Sequence, residues 1–228
     1  MRFKKITFVI TIIMLLLLNS NIAVLANNKP VNSEKIILID PGHGGFDGGA
    51  VSPSGTVEKD INLKISIKLK SKLEEQGYKV VMTREDDRAL YDKSTPKGSK
   101  KKSDLNNRCK LKTESKCNMF ISIHLNKFPE SKYYGPQVWH SKNEESGKLA
   151  KIIQKNFKTD IDSTNNRVEK PANGKYKILR CNDEMPSIII ECGFLSNLTE
   201  ENKLKDEKYQ DNIAECIKKS VNMYFEKQ

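Results

Sequence analysis

Lys35-Ile36-Ile37-Leu38-Ile39-Asp40-Pro41-Gly42-His43-Gly44-Gly45 is a short β-branched run that stops at proline and glycine, the mark of a buried strand feeding a loop. Loop chemistry continues to Gly55. From Glu58 to Gln76, Ile61, Ile65, Leu69 and Leu73 recur every four residues, and Gly77 supplies a stop, so the spacing predicts a helix. Ile61, Leu63, Ile65, Ile67 and Leu69 also alternate as in a strand, but the segment is too long for one, and a further strand candidate, Tyr78 to Arg84, follows at once. Strand, helix and strand joined by short connections make a βαβ unit, and the fold class is α/β.

Working outward, a helix is expected from about Asp104 to Lys116, leading into a strand from Met119 to His124. Tyr134 to Trp139 reads as another strand, and Ser146 to Phe157 as a helix burying Leu149, Ile152, Ile153 and Phe157. Asn156 to Lys177 is polar and broken by glycine, proline and asparagine, which predicts a surface excursion flanking the site. Ser187 to Cys192 is the most apolar strand, and a closing helix runs from Glu207 to Phe225. No internal repeat is visible.

The 228 residues, 37% of them hydrophobic, suffice for one core of ordinary size. Arg2, Lys4 and Lys5 precede the apolar run Ile6 to Leu18, and Val24-Leu25-Ala26 offers small residues for a signal peptidase. Residues 1–26 read as a secretion signal cut after Ala26. The alternative, a retained membrane anchor, is opposed by the shortness of the run and by Asn19, Ser20 and Asn21. Either reading places the folded part outside the cytoplasm. Removing the signal, with its three basic residues and no acid, lowers the formal charge from +11 to +8. That balance suits anionic surroundings of the cell envelope, and the lack of a basic helix with interleaved aromatics argues against nucleic acid. The run Lys97 to Lys102 is expected to be a solvated loop, with a docking patch as the alternative. Cys109, Cys117, Cys181, Cys192 and Cys216 form an odd set without a C-x-x-C pair, so neither a disulfide scaffold nor a zinc knuckle is indicated. Cys109 and Cys117, eight residues apart on one helix, lie too far apart to bridge.

Only three histidines exist, and two of them, His43 and His124, fall at the carboxyl ends of apolar runs, where an open α/β sheet gathers ligands. Two histidines and one carboxylate are a catalytic zinc set that leaves a fourth position for water. His43, Glu58 and His124 supply it. Gly42, Gly44 and Gly45 let the backbone turn sharply and let substrate come close. A phosphate-cradling loop is the competing reading, but the lysine and hydroxyl residue of a P-loop are missing. Glu191, at the end of an apolar strand, is desolvated and placed to take a proton from water and pass it to a leaving amine. The plainer reading pairs Glu191 with Arg180 or a lysine. His140 follows Trp139 with no nearby carboxylate and reads as a structural or surface residue.

Four ordered motifs, Asp40-Pro-Gly-His-Gly-Gly45, Glu58-Lys-Asp-Ile-Asn-Leu63, Ser122-Ile-His-Leu-Asn126 and Pro186 through Glu191-Cys-Gly-Phe-Leu-Ser-Asn197, resemble those of the zinc-dependent N-acetylmuramoyl-L-alanine amidases of the type 3 class. The likeness runs from about Lys35 to Phe225. Gly135-Pro-Gln-Val-Trp139 followed by Ser146, Leu149 and Ala150 looks most like the germination-specific members found in spore formers. The resemblance implies Zn2+ held by His43, Glu58 and His124, with Glu191 as the catalytic glutamate; Asn126, which closes the His124 motif, is a candidate substrate contact. It further implies a single catalytic domain over residues 35–228, after a linker at 27–34, built on a mostly parallel, mixed sheet of about six strands with helices on both faces. The implied reaction is hydrolysis of the amide between N-acetylmuramic acid and L-alanine in peptidoglycan, with a place in spore cortex maturation through muramic-δ-lactam. A location in the cell envelope or the forespore intermembrane space follows. Nothing in the chain resembles an appended wall-binding repeat, so targeting is expected from the catalytic domain itself or from an accessory envelope protein. The rival functions are a zinc peptidase cutting within the stem peptide and a non-catalytic wall-binding domain. The chain departs from the family pattern at Gly48 and at Lys112, Thr113 and Asn118, none of them a proposed ligand.

Overall fold

The computed structural model describes residues 35–227, so the expected secretion signal and linker lie outside the described residues. Six strands form one mixed sheet: β1 (Ile36–Pro41), β2 (Lys79–Met82), β3 (Met119–Asn126), β4 (Gln137–His140), β5 (Lys170–Pro171) and β6 (Ser187–Phe194). Their order is β2-β1-β3-β6-β4-β5. The first four of that order are parallel; β4 runs antiparallel to β6 and parallel to β5. The α/β expectation, with about six strands in a mostly parallel sheet, therefore holds.

The helices are α1 (Glu58–Glu74), α2 (Lys100–Glu114), α3 (Glu144–Asn156), α4 (Lys177–Arg180), α5 (Leu198–Lys205) and α6 (Glu207–Phe225). Alternation along the strands divides them between two faces. Ile37, Ile39, Ile121, Ile123, Ile188 and Ile190 turn to the larger core, shared with Ile61, Ile65, Leu69 and Leu73 of α1 and with apolar residues of α3 and α6. That burial is what selects helix over strand for residues 58–74. Leu38, Phe120 and Ile189 turn the other way, onto a smaller cluster completed by Ile178 and Leu179 of α4, with Leu105 and Cys109 of α2 packed against it. His124 and Glu191 share the parity of this second face. Its thin cover leaves the site approachable.

Three expectations need correction. Lys97 to Lys102 is not a loop: a 3-10 turn over Lys97–Ser99 runs straight into α2 at Lys100. Pro96, fixed in φ, sets the entry, and lysine is a good helix former, so charge density alone misreads the segment. The strand expected from Tyr134 begins only at Gln137, because Gly135 turns with φ +84° and Pro136 has no N–H to give a ladder. Cys109 and Cys181 form a disulfide with Cα atoms 5.9 Å apart, while Cys117, Cys192 and Cys216 are buried thiols. The pairing joins positions 72 residues apart, and only tertiary structure brings them together. Elsewhere β5 and α5 add to the expected elements, and a π-helical turn at Phe157–Ile161 prolongs α3 into the excursion.

Candidate metal and catalytic site

The carboxyl ends of β1, β3 and β6 lie side by side, and each delivers part of the site. β1 ends in the loop that carries His43, whose φ of +63° is a left-handed conformation that a residue with a Cβ rarely adopts. Two buried arginines hold that loop by its carbonyls. Arg84 donates to Pro41 O and Gly42 O, both at 3.0 Å, and to Lys59 O at 2.9 Å. Arg108 donates to Pro41 O at 3.0 Å and His43 O at 2.6 Å, and its guanidinium meets Asp40 at 2.5 Å and Asp104 at 2.7 Å. The loop's geometry is thus fixed by two buried cations bonded to its carbonyls.

Glu58 begins α1, and its carboxylate sits between the two imidazoles. Oε1 lies 3.3 Å from His43 Nε2 and 3.0 Å from His124 Nδ1. Oε1 also accepts from the Leu125 N–H at 3.0 Å, and Oε2 from the Ala50 N–H at 2.7 Å. One candidate ligand atom from each of His43, Glu58 and His124 lies within 4.8 Å of the others. Those three side chains are the set that the sequence singles out, and they converge. Space around them is kept by glycine: a Cβ on Gly42 would fall 2.3 Å from the His124 ring, and one on Gly49 would fall 2.5 Å from Glu58 Oε2 and 2.6 Å from the His43 ring. Two nitrogens and one buried carboxylate around a shared point suit zinc.

His43 presents its other nitrogen, Nδ1, to Asp47 Oδ2 at 3.1 Å, the outer carboxylate that commonly orients a metal-ligating imidazole. Lys101 reaches the same oxygen from α2 at 3.2 Å. Burial opposes protonation of His43, but Asp47 and Glu58 outweigh it and raise its pKa to about 9. For Glu58 burial acts the other way and pushes the pKa upward, but His124 and His43 outweigh it and bring the carboxyl well below the usual range. Asp47 is lowered too, first by His43.

Glu191 stands opposite His124 in the β3–β6 register. Beyond that pair the register slips, so that Asn126 meets Phe194, and the extra residue of this bulge falls at Cys192–Gly193. Glu191 is buried, its Oε2 has no hydrogen-bond partner, and among the described residues it makes no ion pair. The pairing with Arg180 or a lysine is therefore not formed. Burial, with Glu58 adding to it against the two histidines, pushes the Glu191 carboxyl up to about 7. Asn126 lies at the end of β3 with its Oδ1 accepting from the Lys127 N–H at 2.9 Å. His140 is half-buried on β4, its Nδ1 2.7 Å from Ser141 O, in keeping with a structural role.

Asp47, Arg84, Arg108 and Asp104 escaped the sequence reading. The His43–Asp47 spacing of four residues and the Asp104–Arg108 spacing of one helical turn were the available signals. Glu201 is another: its carboxylate takes hydroxyl donors from Ser52 at 2.8 Å, Thr56 at 2.5 Å and Ser54, pinning the turn that precedes Glu58.

Residues 37–223 match the family model described as N-acetylmuramoyl-L-alanine amidase. The chain is 42% identical over 195 residues to the germination-specific N-acetylmuramoyl-L-alanine amidase of Bacillus subtilis, a match covering 85% of this chain and 81% of that protein. Among solved structures it is similar to the CwlD amidase from Clostridioides difficile in complex with the GerS lipoprotein, with a TM-score of 0.82 and 43% identity, covering 85% of this chain and all of that one. A second structure, an N-acetylmuramoyl-L-alanine amidase from Clostridium difficile 630, superposes with a TM-score of 0.74 at 32% identity, covering 86% of this chain and 98% of that one. The chain belongs to the N-acetylmuramoyl-L-alanine amidase family and is an enzyme of that class.

Proposed function

We propose that the protein is a zinc-dependent hydrolase of the amide bond between N-acetylmuramic acid and L-alanine in peptidoglycan. The observation that carries this reading is the convergence of His43, Glu58 and His124 around one point with Glu191 opposite His124 on the next strand. His43, Glu58 and His124 would hold the ion. Bound there, zinc supplies a Lewis acid for the amide carbonyl and eases deprotonation of water. Glu191 takes a proton from the attacking water and delivers it to the alanine nitrogen as the C–N bond breaks. Its burial suits the task, since a carboxyl poised near neutral pH both accepts and returns a proton. Asp47 keeps His43 in one tautomer, Arg108 and Arg84 hold the loop, and Asn126 contacts substrate at the edge of β3.

The likeness to a germination-specific amidase supports a role in spore cortex, where removal of the stem peptide prepares muramic acid for closure to muramic-δ-lactam. An exported location, in the cell envelope or forespore intermembrane space, fits that role. The similar CwlD amidase is a complex with a lipoprotein, which supports an accessory envelope partner for this chain as well.

Glu191→Gln tests the role of the glutamate. Digests of purified peptidoglycan are expected to lose free-peptide release by at least about 100-fold while bound zinc, read by elemental analysis, is retained. Mass spectrometry of wild-type digests should show intact stem peptides and unsubstituted muramic acid; peptides cut internally would establish the peptidase instead. Near wild-type release by Glu191→Gln would remove the proposed proton carrier.

A further inference from the structure

Glu191 and His124 form the floor of a cavity of about 250 Å³ with Leu105 of α2 on one side and the segment Lys175–Arg180 on the other. Three basic side chains stand on that wall, and two are engaged. Lys177 Nζ donates to Asn106 Oδ1, and Lys175 Nζ sits 5.8 Å from the Trp139 ring centre. Arg180 is exposed, and its guanidinium makes no hydrogen bond or ion pair among the described residues. It is not there to neutralise Glu191, with which it forms no pair. Its backbone is nevertheless fixed. The next residue, Cys181, is bonded to Cys109 of α2. The buried Lys112, also on α2, donates to Ile178 O at 3.2 Å and Cys181 O at 2.8 Å, closing the same wall from both ends of α4. A free guanidinium on an anchored wall, beside a catalytic floor, is a preorganised anion site.

Chemistry says which part of the substrate it faces. The N-acetylated glycan is uncharged, whereas the stem peptide beyond L-alanine carries free carboxylates. We propose that Arg180 binds a carboxylate of the stem peptide on the leaving side of the scissile amide, making it a specificity-determining residue for stems whose carboxylates are not amidated. This rests on the amidase reading given above.

The test compares two muropeptides that differ only in whether the stem carboxylates are free or amidated, using the full zinc-loaded enzyme. Wild type is expected to favour the free form by about tenfold in kcat/KM. Arg180→Ala should collapse that ratio toward one, and Arg180→Lys should restore part of it. Titration calorimetry with the free and the amidated stem tripeptides gives the same ratio without turnover. A wild type indifferent to amidation, or an Arg180→Ala protein that keeps the wild-type ratio, overturns the assignment. If wild type releases no intact peptide, the amidase reading fails, and the calorimetric ratio alone then decides whether Arg180 reads carboxylates.

Discussion

His43 shows how much a single side chain owes to its neighbours. It occupies a left-handed backbone conformation, its carbonyl is held by Arg108, one ring nitrogen faces Glu58, and the other faces Asp47. Removing an outer carboxylate of this kind typically weakens metal affinity by about 10–100-fold, because the imidazole loses both its orientation and some of its basicity. Asp47→Ala should therefore lower zinc affinity by that amount in a chelator competition while leaving the fold, read by far-UV circular dichroism, intact. Unchanged zinc affinity would mean that Asp47 serves Lys101 alone. The three candidate ligands were legible because their placement is local: His43 and His124, two of only three histidines, end apolar runs, and Glu58 starts a helix. Asp47 was harder to see, since an aspartate among glycines also reads as a turn residue. Arg84 and Arg108 were hidden for a different reason. A cation in sequence looks like solvated surface, and only the closed fold shows that each is buried against backbone carbonyls.

At the scale of elements, periodicity located α1, β3, β6 and α6 because each carries an unbroken apolar face. It failed where a segment's role is set by contact across the chain. α2 was expected as a helix, but not its start at Lys100 or its role, because its mean hydropathy is low and its buried residues are Asp104, Arg108 and Lys112. Lys112 is fully buried over the Phe120 ring and donates to carbonyls of the α4 wall. Burial lowers its pKa to about 8. The disulfide acts on the same junction. Closing a loop of 72 residues is worth about 4 kcal/mol if the constraint falls on the unfolded chain. Replacing both Cys109 and Cys181 by serine is thus expected to lower the melting temperature by several degrees and to raise KM more than it lowers kcat, because the wall that it frees lines the candidate substrate cavity, whereas the candidate metal ligands are carried by other elements. Equal melting temperatures for the two proteins in oxidising buffer would show that the bridge adds nothing to the fold.

The whole molecule is organised around a buried charge cluster that links the sheet to α2. Asp40, at the end of β1, accepts from Thr83 and Ser122, both at 2.7 Å, and pairs with Arg108, which also binds Asp104. Burial alone would raise the Asp40 carboxyl, yet Arg108 and the two hydroxyls hold it below its ordinary value of 3.8. A carboxyl lowered on folding binds fewer protons in the native state than in the unfolded chain. Its contribution is complete above pH 3.8 and is lost as the pH falls toward the lowered native value. Breaking one partner of a buried pair costs about 3–5 kcal/mol, since the remaining charge is stranded. Asp40→Asn should therefore be less stable than wild type by an amount of that order in urea unfolding at pH 7, with both proteins treated with chelator so that metal binding does not enter. The gap should stay constant down to about pH 4 and narrow below it, because wild type must then protonate Asp40 and lose the same pair. A gap that stays the same from pH 7 to pH 2 would show that Asp40 stabilises by shape and hydrogen bonding without its charge. The loop that carries His43 would then depend on Asp104 to keep Arg108 in place.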